Sequence, residues 1–158
     1  MKPIPETENT VVLRTDFSDD AAWKAICAAI REPAAEYQID FAEWAAINEA
    51  IGQYVGELQA NVVFIDDPEY ADITIDQLLK LVPEDSNQTF LFVVDRVTVS
   101  HTDHPILVVD LFTERGRKFR TVPSQIQAIE NNLSIANMDW EDFADNVDAD
   151  GVFRGFPE

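Results

Sequence analysis

The stretches TFLFVVDRVTV (Thr89–Val99) and PILVVDLF (Pro105–Phe112) predict the centre of a β-sheet. Each is a nearly continuous apolar run rich in Val, Leu and Phe, as is typical of strands that are covered on both faces of a sheet. The link between them, SHTDH (Ser100–His104), is short, which favours an antiparallel pair. We therefore predict two central strands that run in opposite directions.

Further strands are predicted on both sides of this pair. VVLRT (Val11–Thr15) and ANVVFID (Ala60–Asp66) are short β-branched runs separated by helical segments, so crossovers should make them parallel to the first central strand. KFRTV (Lys118–Val122) alternates apolar and polar residues and follows the turn TERGR. It is therefore predicted as an edge strand in a hairpin.

Apolar residues at helical spacing predict the layers that cover the sheet. The first helix carries Trp23, Ile26, Cys27 and Ile30, with Ser18 or Asp19 as its cap and Pro33 as its stop. Thr74 and Gln77 have capping-box spacing, and Ser124 is the predicted cap of a later helix. The other predicted helices cover residues 40–58 and 139–147.

The predicted fold class is α/β: a single-domain sandwich with a mixed, mainly central buried sheet flanked by helices. The domain covers residues 11–158, and residues 40–58 are interpreted as a possible helical insertion. Residues 1–10 are predicted to be a flexible N-terminal arm, because MKPIPETENT has no helical or strand pattern.

The sequence contains 30 acidic and 11 basic residues, a formal net charge of −19. This charge repels phosphate backbones and anionic membrane surfaces, so we expect neither nucleic acid nor a membrane as a partner. It either serves solubility alone or attracts a basic protein. No apolar run follows Lys2, and no run of eighteen apolar residues occurs, so we predict a cytoplasmic location.

Motifs for nucleophilic or nucleotide chemistry do not occur. The sequence has no G-x-S-x-G, G-x-G-x-x-G or P-loop pattern. The single cysteine, Cys27, falls on the apolar stripe of the first helix, which favours a buried, inert thiol over a nucleophile. We therefore expect no nucleotide cofactor.

Several candidate metal ligands follow the predicted strands: Asp16, Asp66, Asp95, His101 and His104. Open α/β sheets bind ligands at the carboxyl ends of their strands, and carboxylate oxygens suit Mg²⁺ while histidines suit softer metals. Aspartate after a strand is also a common helix cap or turn residue. The sequence leaves these two interpretations open.

The segment DADGVFRGF (Asp148–Phe156) partly matches a calcium loop. Asn146, Asp148, Asp150 and Gly151 occupy its first, third, fifth and sixth positions. The ninth position is Arg154 and the twelfth is Pro157, where a bidentate Glu is needed. We favour a turn in which Gly151 adopts a positive φ and returns Val152, Phe153 and Phe156 to the core.

Four basic residues form a local patch in RGRKFR: Arg115, Arg117, Lys118 and Arg120. These side chains are candidates for binding an acidic partner, a phosphate or a second copy of the protein. A charged edge strand that resists aggregation is an equally acceptable interpretation.

Six blocks occur in order over most of residues 11–32 and 60–156: RTDFSDDAAW, VDRVT, HPILVVDL, FRTVPS, ENNLSIANMDWEDFA and DGVFRGF. In these blocks the chain resembles a family of small bacterial proteins classed as a domain of unknown function. The resemblance implies a single intracellular bacterial domain, and it implies no activity or site residue.

Two hypotheses follow from the sequence. The preferred one is a small acidic intracellular binding protein without catalysis, which occupies a partner surface as antitoxin or immunity proteins do, or has another interaction role; a basic surface is one option for the partner. The alternative is a metal-dependent enzyme that uses Asp16, Asp66 and Asp95, with His101 or His104. A divalent metal is the only cofactor that either hypothesis includes.

Overall fold

The computed structural model describes residues 1–32 and 59–156, which contain one mixed sheet of six strands. The strands are β1 (Thr10–Arg14), β2 (Val62–Ile65), β3 (Phe90–Val94), β4 (Ile106–Asp110), β5 (Lys118–Thr121) and β6 (Val152–Phe153). The helix predicted at residues 40–58 lies outside the described residues. The predicted α/β fold with a mixed sheet is confirmed.

The strand order is β2-β1-β3-β4-β5-β6. β1 is parallel to β2 and β3, β4 is antiparallel to both of its neighbours, and β6 is parallel to β5. The predicted directions of the first four strands are therefore correct. Every strand except β4 ends at one side of the sheet, which we call the carboxyl edge, and β4 ends at the opposite amino edge.

Two strand predictions were wrong. The run from Thr89 to Val99 does not remain extended, because Asp95 caps a short helix at Arg96–Ser100 through a hydrogen bond from the Thr98 N–H. β5 is not an edge strand, since β6 pairs with it from Arg120 to Thr121. The two-residue strand β6 was too short to show any periodicity in the sequence.

Five α-helices lie within the described residues: α1 (Asp20–Arg31), α2 (Ile75–Leu81), α3 (Arg96–Ser100), α4 (Ile126–Ser134) and α5 (Trp140–Ala144). Asp19 caps α1 by accepting from the Ala22 N–H, and Thr74 and Gln77 form the predicted capping box of α2. Ser124 does not cap α4, because a short 3₁₀ helix at Pro123–Gln125 precedes it.

The sheet has an apolar core on each face. One core packs β-strand residues such as Val12 and Phe92 against α1, α4 and α5. The other packs Leu13 and Leu91 against α2 and Tyr70. The alternation of neighbouring strand residues between the two cores explains why the central strands are apolar throughout.

The predicted N-terminal arm contacts the second core. Ile4 is buried, and its N–H donates to the Leu81 carbonyl over 2.8 Å. The Tyr70 hydroxyl donates to the Pro3 carbonyl over 3.0 Å, and Lys2 forms an ion pair with Asp67. The arm is therefore docked in the structure, while its flexibility stays a prediction. Within the described ranges, no helix is long and apolar enough to cross a membrane.

Candidate functional site

The predicted metal ligands Asp16, Asp66 and Asp95 do follow three strands that end at the carboxyl edge. Sheet topology thus places the three aspartates at one side of the molecule, as expected from the sequence. Their side chains, however, have separate partners.

Arg14, the last residue of β1, is the buried cation of this edge, with a side chain that is 4% exposed. Its guanidinium contacts Asp66 at 3.2 Å and Asp20 at 2.6 Å, and its Nε donates to the Asp16 carbonyl over 3.0 Å. The Asp16 carboxylate instead accepts from the Ser18 N–H. Arg14 therefore neutralises Asp66 and orients the chain at Asp16.

Asp95 is paired with Arg120 of β5 at 2.7 Å, and a second hydrogen bond of 3.0 Å makes the contact bidentate. Burial opposes ionisation of Asp95, but the hydrogen bonds and charge of Arg120, with help from Thr98, hold its pKa below the usual value. Asp95 is therefore a carboxylate that caps α3 and anchors β5.

Arg154 occupies the centre of the loop that resembled a calcium site. Its guanidinium contacts Asp148 at 2.8 Å, Asp150 at 2.8 Å and Asp103 at 2.9 Å. These three carboxylates raise the pKa of Arg154 above its ordinary value, with Asp150 contributing most. An internal cation thus lies where the calcium-loop interpretation placed a metal.

The predicted turn at Gly151 is confirmed. Gly151 has a φ of +81°, and its N–H donates to the Asp148 carbonyl over 2.8 Å. Val152 and Phe153 return to the core as expected. Phe156 does so only in part, because it packs on Phe153 with a centroid distance of 5.0 Å but remains 47% exposed.

The two candidate histidines differ in environment. His101 is exposed and lines a 250 Å³ depression together with Arg120 and Arg154. His104 has a φ of +48°, and its Nδ1 lies 3.0 Å from the Thr98 carbonyl oxygen, so it stabilises the link between α3 and β4. The structure does not bring the two imidazoles to a common set of carboxylates.

In residues 1–32 and 59–156, no group of three or more His, Cys, Asp and Glu side chains is arranged to hold a metal ion. The carboxylates of Asp66 and Asp95 would have to exchange an arginine for a metal, at the cost of leaving a buried or half-buried guanidinium without its partner. Metal binding at this edge stays a prediction.

The predicted basic patch consists of Arg115, Arg117, Lys118 and Arg120. Its arginines point to different parts of the molecule. Arg115 donates to the carbonyls of Leu79 and Val82, both over 2.6 Å, at the end of α2, whereas Arg120 belongs to the carboxyl edge. Lys118 is exposed. Binding of an anion by this set stays a prediction, although three of its members already bind groups of the protein itself.

Arg117 lies at the amino edge, beside a cleft of about 330 Å³. It forms ion pairs with Asp110 at 2.9 Å, Glu141 at 2.7 Å and Glu114 at 3.3 Å. Its guanidinium also lies 5.1 Å from the centroid of the Trp140 ring. The other apolar residues that line the cleft are Phe90, Phe112, Leu133, Ala136 and Met138.

The sequence did not reveal this cleft. The helical spacing of Trp140 and Phe143 predicts core packing for both, and the run PILVVDLF predicts that Phe112 ends an apolar strand. Trp140 is indeed buried, but Phe112 is 77% exposed, since β4 ends two residues earlier at Asp110. Only the turn signal in TERGR indicated that an apolar side chain could leave the sheet here.

Two further titratable groups, Cys27 and Glu130, are buried. Cys27 is buried as predicted, and burial raises the pKa of its thiol to about 11. Glu130 on α4 was not anticipated: burial raises its pKa to about 7, although the Asn61 backbone N–H partly opposes this shift. Its helix pattern gave no signal, since apolar neighbours on α4 already accounted for the buried face.

The fold and these two edges define a single-domain α/β protein whose strand-end carboxylates are bound by its own arginines. Residues 9–156 match a family model described as "Domain of unknown function (DUF6924)", and the chain therefore belongs to that family. The resemblance to a family of this class is thus confirmed. No curated protein matches the chain.

Proposed function

We propose that this protein is a non-catalytic binding protein of the bacterial cytoplasm that recognises a basic protein, in the manner of an antitoxin or immunity protein. The observation that carries this proposal is a run of exposed acids in residues 139–150, which we call the acidic segment. It contains six acids and no base: Asp139, Glu141, Asp142, Asp145, Asp148 and Asp150. All six are exposed.

The ion pairs of the acidic segment leave part of its charge available. Arg117 contacts Glu141, and Arg154 contacts Asp148 and Asp150. Within the described residues, no ion pair involves the other three acids: Asp139, Asp142 and Asp145. Residues 33–58 contain no lysine, arginine or histidine that could neutralise them.

A surface of this kind favours association with a positively charged protein. The protein's field attracts such a partner over roughly a Debye length, about 10 Å at 0.1 M salt, and raises the rate of encounter. The same field disfavours acidic partners and polyanions. Residues 139–150 carry six of the 30 acids of the protein, all on exposed side chains, and so offer such a partner a defined place to bind.

The proposal is tested by affinity capture from a lysate of the source organism, followed by elution with a salt gradient. The key variant is D139N/D142N/D145N, because asparagine keeps the acceptor oxygens that Asp139 and Asp142 use in the capping box of α5. The matched control is D76N/E84Q/D85N, which removes the same charge from exposed residues elsewhere.

We expect the wild type to capture one defined basic protein. This protein should elute from the D139N/D142N/D145N variant at a lower salt concentration than from the wild type, and from the control variant at the same salt concentration as from the wild type. Recovery of no basic protein at low salt under several growth conditions would contradict the proposal. Equal retention by the two triple variants would show that net charge alone, and not the acidic segment, is responsible.

A further inference from the structure

The cleft at the amino edge combines an apolar floor with exposed apolar side chains at its rim. Phe112 lines it and is 77% exposed. Ile135, which is 74% exposed, lies between the lining residues Ser134 and Ala136. Exposed side chains of this size are unfavourable in water, and two beside one cleft mark an interaction surface rather than scattered surface residues.

The turn that carries Phe112 is held by hydrogen bonds. The buried carboxylate of Asp110 accepts from the N–H groups of Phe112 at 2.9 Å and Glu114 at 3.0 Å, and it also pairs with Arg117. Phe112 is therefore presented by an organised turn. A presented side chain loses less conformational freedom on binding than one on a mobile loop.

The turn that carries Ile135 is organised in the same way. The Asn132 carbonyl accepts from the N–H groups of Asn137 at 2.9 Å and Met138 at 3.2 Å. Ala136 has a φ of +55°, which turns the chain back toward α5. Both rim residues of the cleft are thus fixed by backbone geometry.

The charge around the cleft is negative. Asp110 and Asp139 line it, and Glu114 and Glu141 contact the lining residue Arg117. These four carboxylates against one guanidinium leave a local formal excess of three negative charges. A second copy of this acidic protein would meet the same sign of charge here, which disfavours self-association through this face.

We propose that the cleft is the docking surface for the basic partner, through a segment that inserts an aromatic or aliphatic side chain flanked by Lys or Arg. The inserted side chain would bury Phe112 and Ile135 and pack toward the buried Trp140 ring. The flanking cations would pair with Glu114, Asp139 and Glu141. This assignment rests on the proposed function and names the surface that performs it.

The test is an NMR titration of the ¹⁵N-labelled full chain with three synthetic peptides of equal length. Their central sequences are Lys-Lys-Leu-Phe-Lys-Lys, Glu-Glu-Leu-Phe-Glu-Glu and Lys-Lys-Ser-Ser-Lys-Lys. We expect saturable shifts from the first peptide at the amides of residues 112–114 and 134–139 and at the Trp140 indole N–H. The acidic peptide should cause none, and the serine peptide should bind at least about tenfold more weakly.

The variant F112S/I135S should weaken binding of the first peptide at least about tenfold. Both positions are exposed, so the fold should be retained, and a melting curve checks this. Val97→Ser is the matched control, because Val97 is a partly exposed apolar residue of α3 at the carboxyl edge. It should bind like the wild type.

The docking assignment is overturned if the shifts fall on other acidic surfaces, if F112S/I135S binds like the wild type, or if the same amides shift with protein concentration alone. The docking assignment is also overturned if a basic protein is captured by F112S/I135S as by the wild type but is not captured by D139N/D142N/D145N. That result would leave the proposed function in place. Capture of no basic protein would count against the proposed function, whereas the peptide titration decides the docking surface.

Discussion

Arg154 binds both carboxylate oxygens of Asp150, with Nη1–Oδ1 and Nη2–Oδ2 distances of 3.0 and 2.8 Å. The two residues lie four positions apart, on either side of the turn at Gly151. Asp148 and Asp103 complete the set of acceptors around the same guanidinium. Arg154 is therefore the counter-ion of these carboxylates. Its contact with Asp103 also connects the residue after β6 to the loop before β4.

Replacing Arg154 with glutamine should lower the melting temperature at low salt, because three neighbouring carboxylates would then repel one another. The difference from the wild type should shrink as salt is raised, since all of these groups are exposed to solvent. Calcium should stabilise R154Q more than the wild type, because the carboxylates lose their internal cation. Lys118→Gln, which removes an exposed cation elsewhere, is the control; an equal calcium response in both variants would contradict this account.

Asp95 is predicted to be the most sensitive residue of the carboxyl edge. Asp95→Ala removes the cap of α3 and the bidentate pair with Arg120, so we expect a loss of about 2 kcal/mol in the free energy of unfolding. Asp95→Asn keeps an acceptor for the Thr98 N–H and should lose about half as much. Urea unfolding at neutral pH measures both, and equal losses would show that the cap contributes nothing.

The sign of the pH effect at Asp95 follows from its lowered pKa. Stability from this carboxylate is present above its unfolded pKa and is lost as the pH falls through the folded value. The D95N variant should therefore have a shallower loss of stability in acid than the wild type. Parallel curves for the two proteins would contradict the ion pair with Arg120.

Glu130 should act in the opposite sense. Its pKa is raised to about 7 by burial, so its contribution to stability is fully present below the unfolded pKa and is lost as the pH rises through about 7. The shift corresponds to roughly 3 kcal/mol. Glu130→Gln should remove this dependence and stabilise the protein at pH 8, while Glu84→Gln, an exposed control, should leave it unchanged. Urea unfolding at pH 5 and pH 8 measures it, and the same slope in wild type and E130Q would refute the assignment.

The two central strands show which features of the fold the sequence predicts. The apolar runs before Asp95 and after His104 were sufficient for two central strands, because a strand buried on both faces has no polar side. Asp95 itself then ended the first strand, since its carboxylate offers the next backbone N–H groups a better partner than the sheet does. A helix of five residues, such as Arg96–Ser100, is too short for its periodicity to compete with the β-branched composition of VTV.

The sequence predicts the site only in part, because the arginines that pair with its carboxylates lie far from them along the chain. Strand order correctly brought Asp66 and Asp95 to one edge, but the counter-ions Arg14 and Arg120 come from different strands, 52 and 25 residues away. Side-chain pairing over such separations depends on the register of the sheet, which local patterns do not specify. The exposure of Phe112 likewise depends on where β4 ends, which is the least certain feature of a sequence-based assignment.

The thiol of Cys27 is predicted to be unreactive in the native protein. With a pKa of about 11, its thiolate fraction at pH 8 is roughly a hundredfold or more below that of a free thiol. The higher nucleophilicity of such a thiolate offsets part of this loss, but the thiol is also buried, so labelling with a disulfide reagent should be at least about tenfold slower than for a small thiol, and urea should restore the ordinary rate. Native labelling at the free-thiol rate would mean that α1 opens or that Cys27 is activated.

A thermal-shift titration with Mg²⁺, Mn²⁺ and Zn²⁺ against an EDTA-treated control separates the binding protein from the metal-dependent enzyme. Because Arg14 and Arg120 already bind Asp66 and Asp95, we expect only the weak, unselective response that any protein of charge −19 gives to divalent cations at fixed ionic strength. The D66N/D95N variant should then respond like the wild type. A saturating, metal-selective rise that this variant lacks would instead require a metal to displace the two arginines, and it would establish the aspartates of the carboxyl edge as ligands.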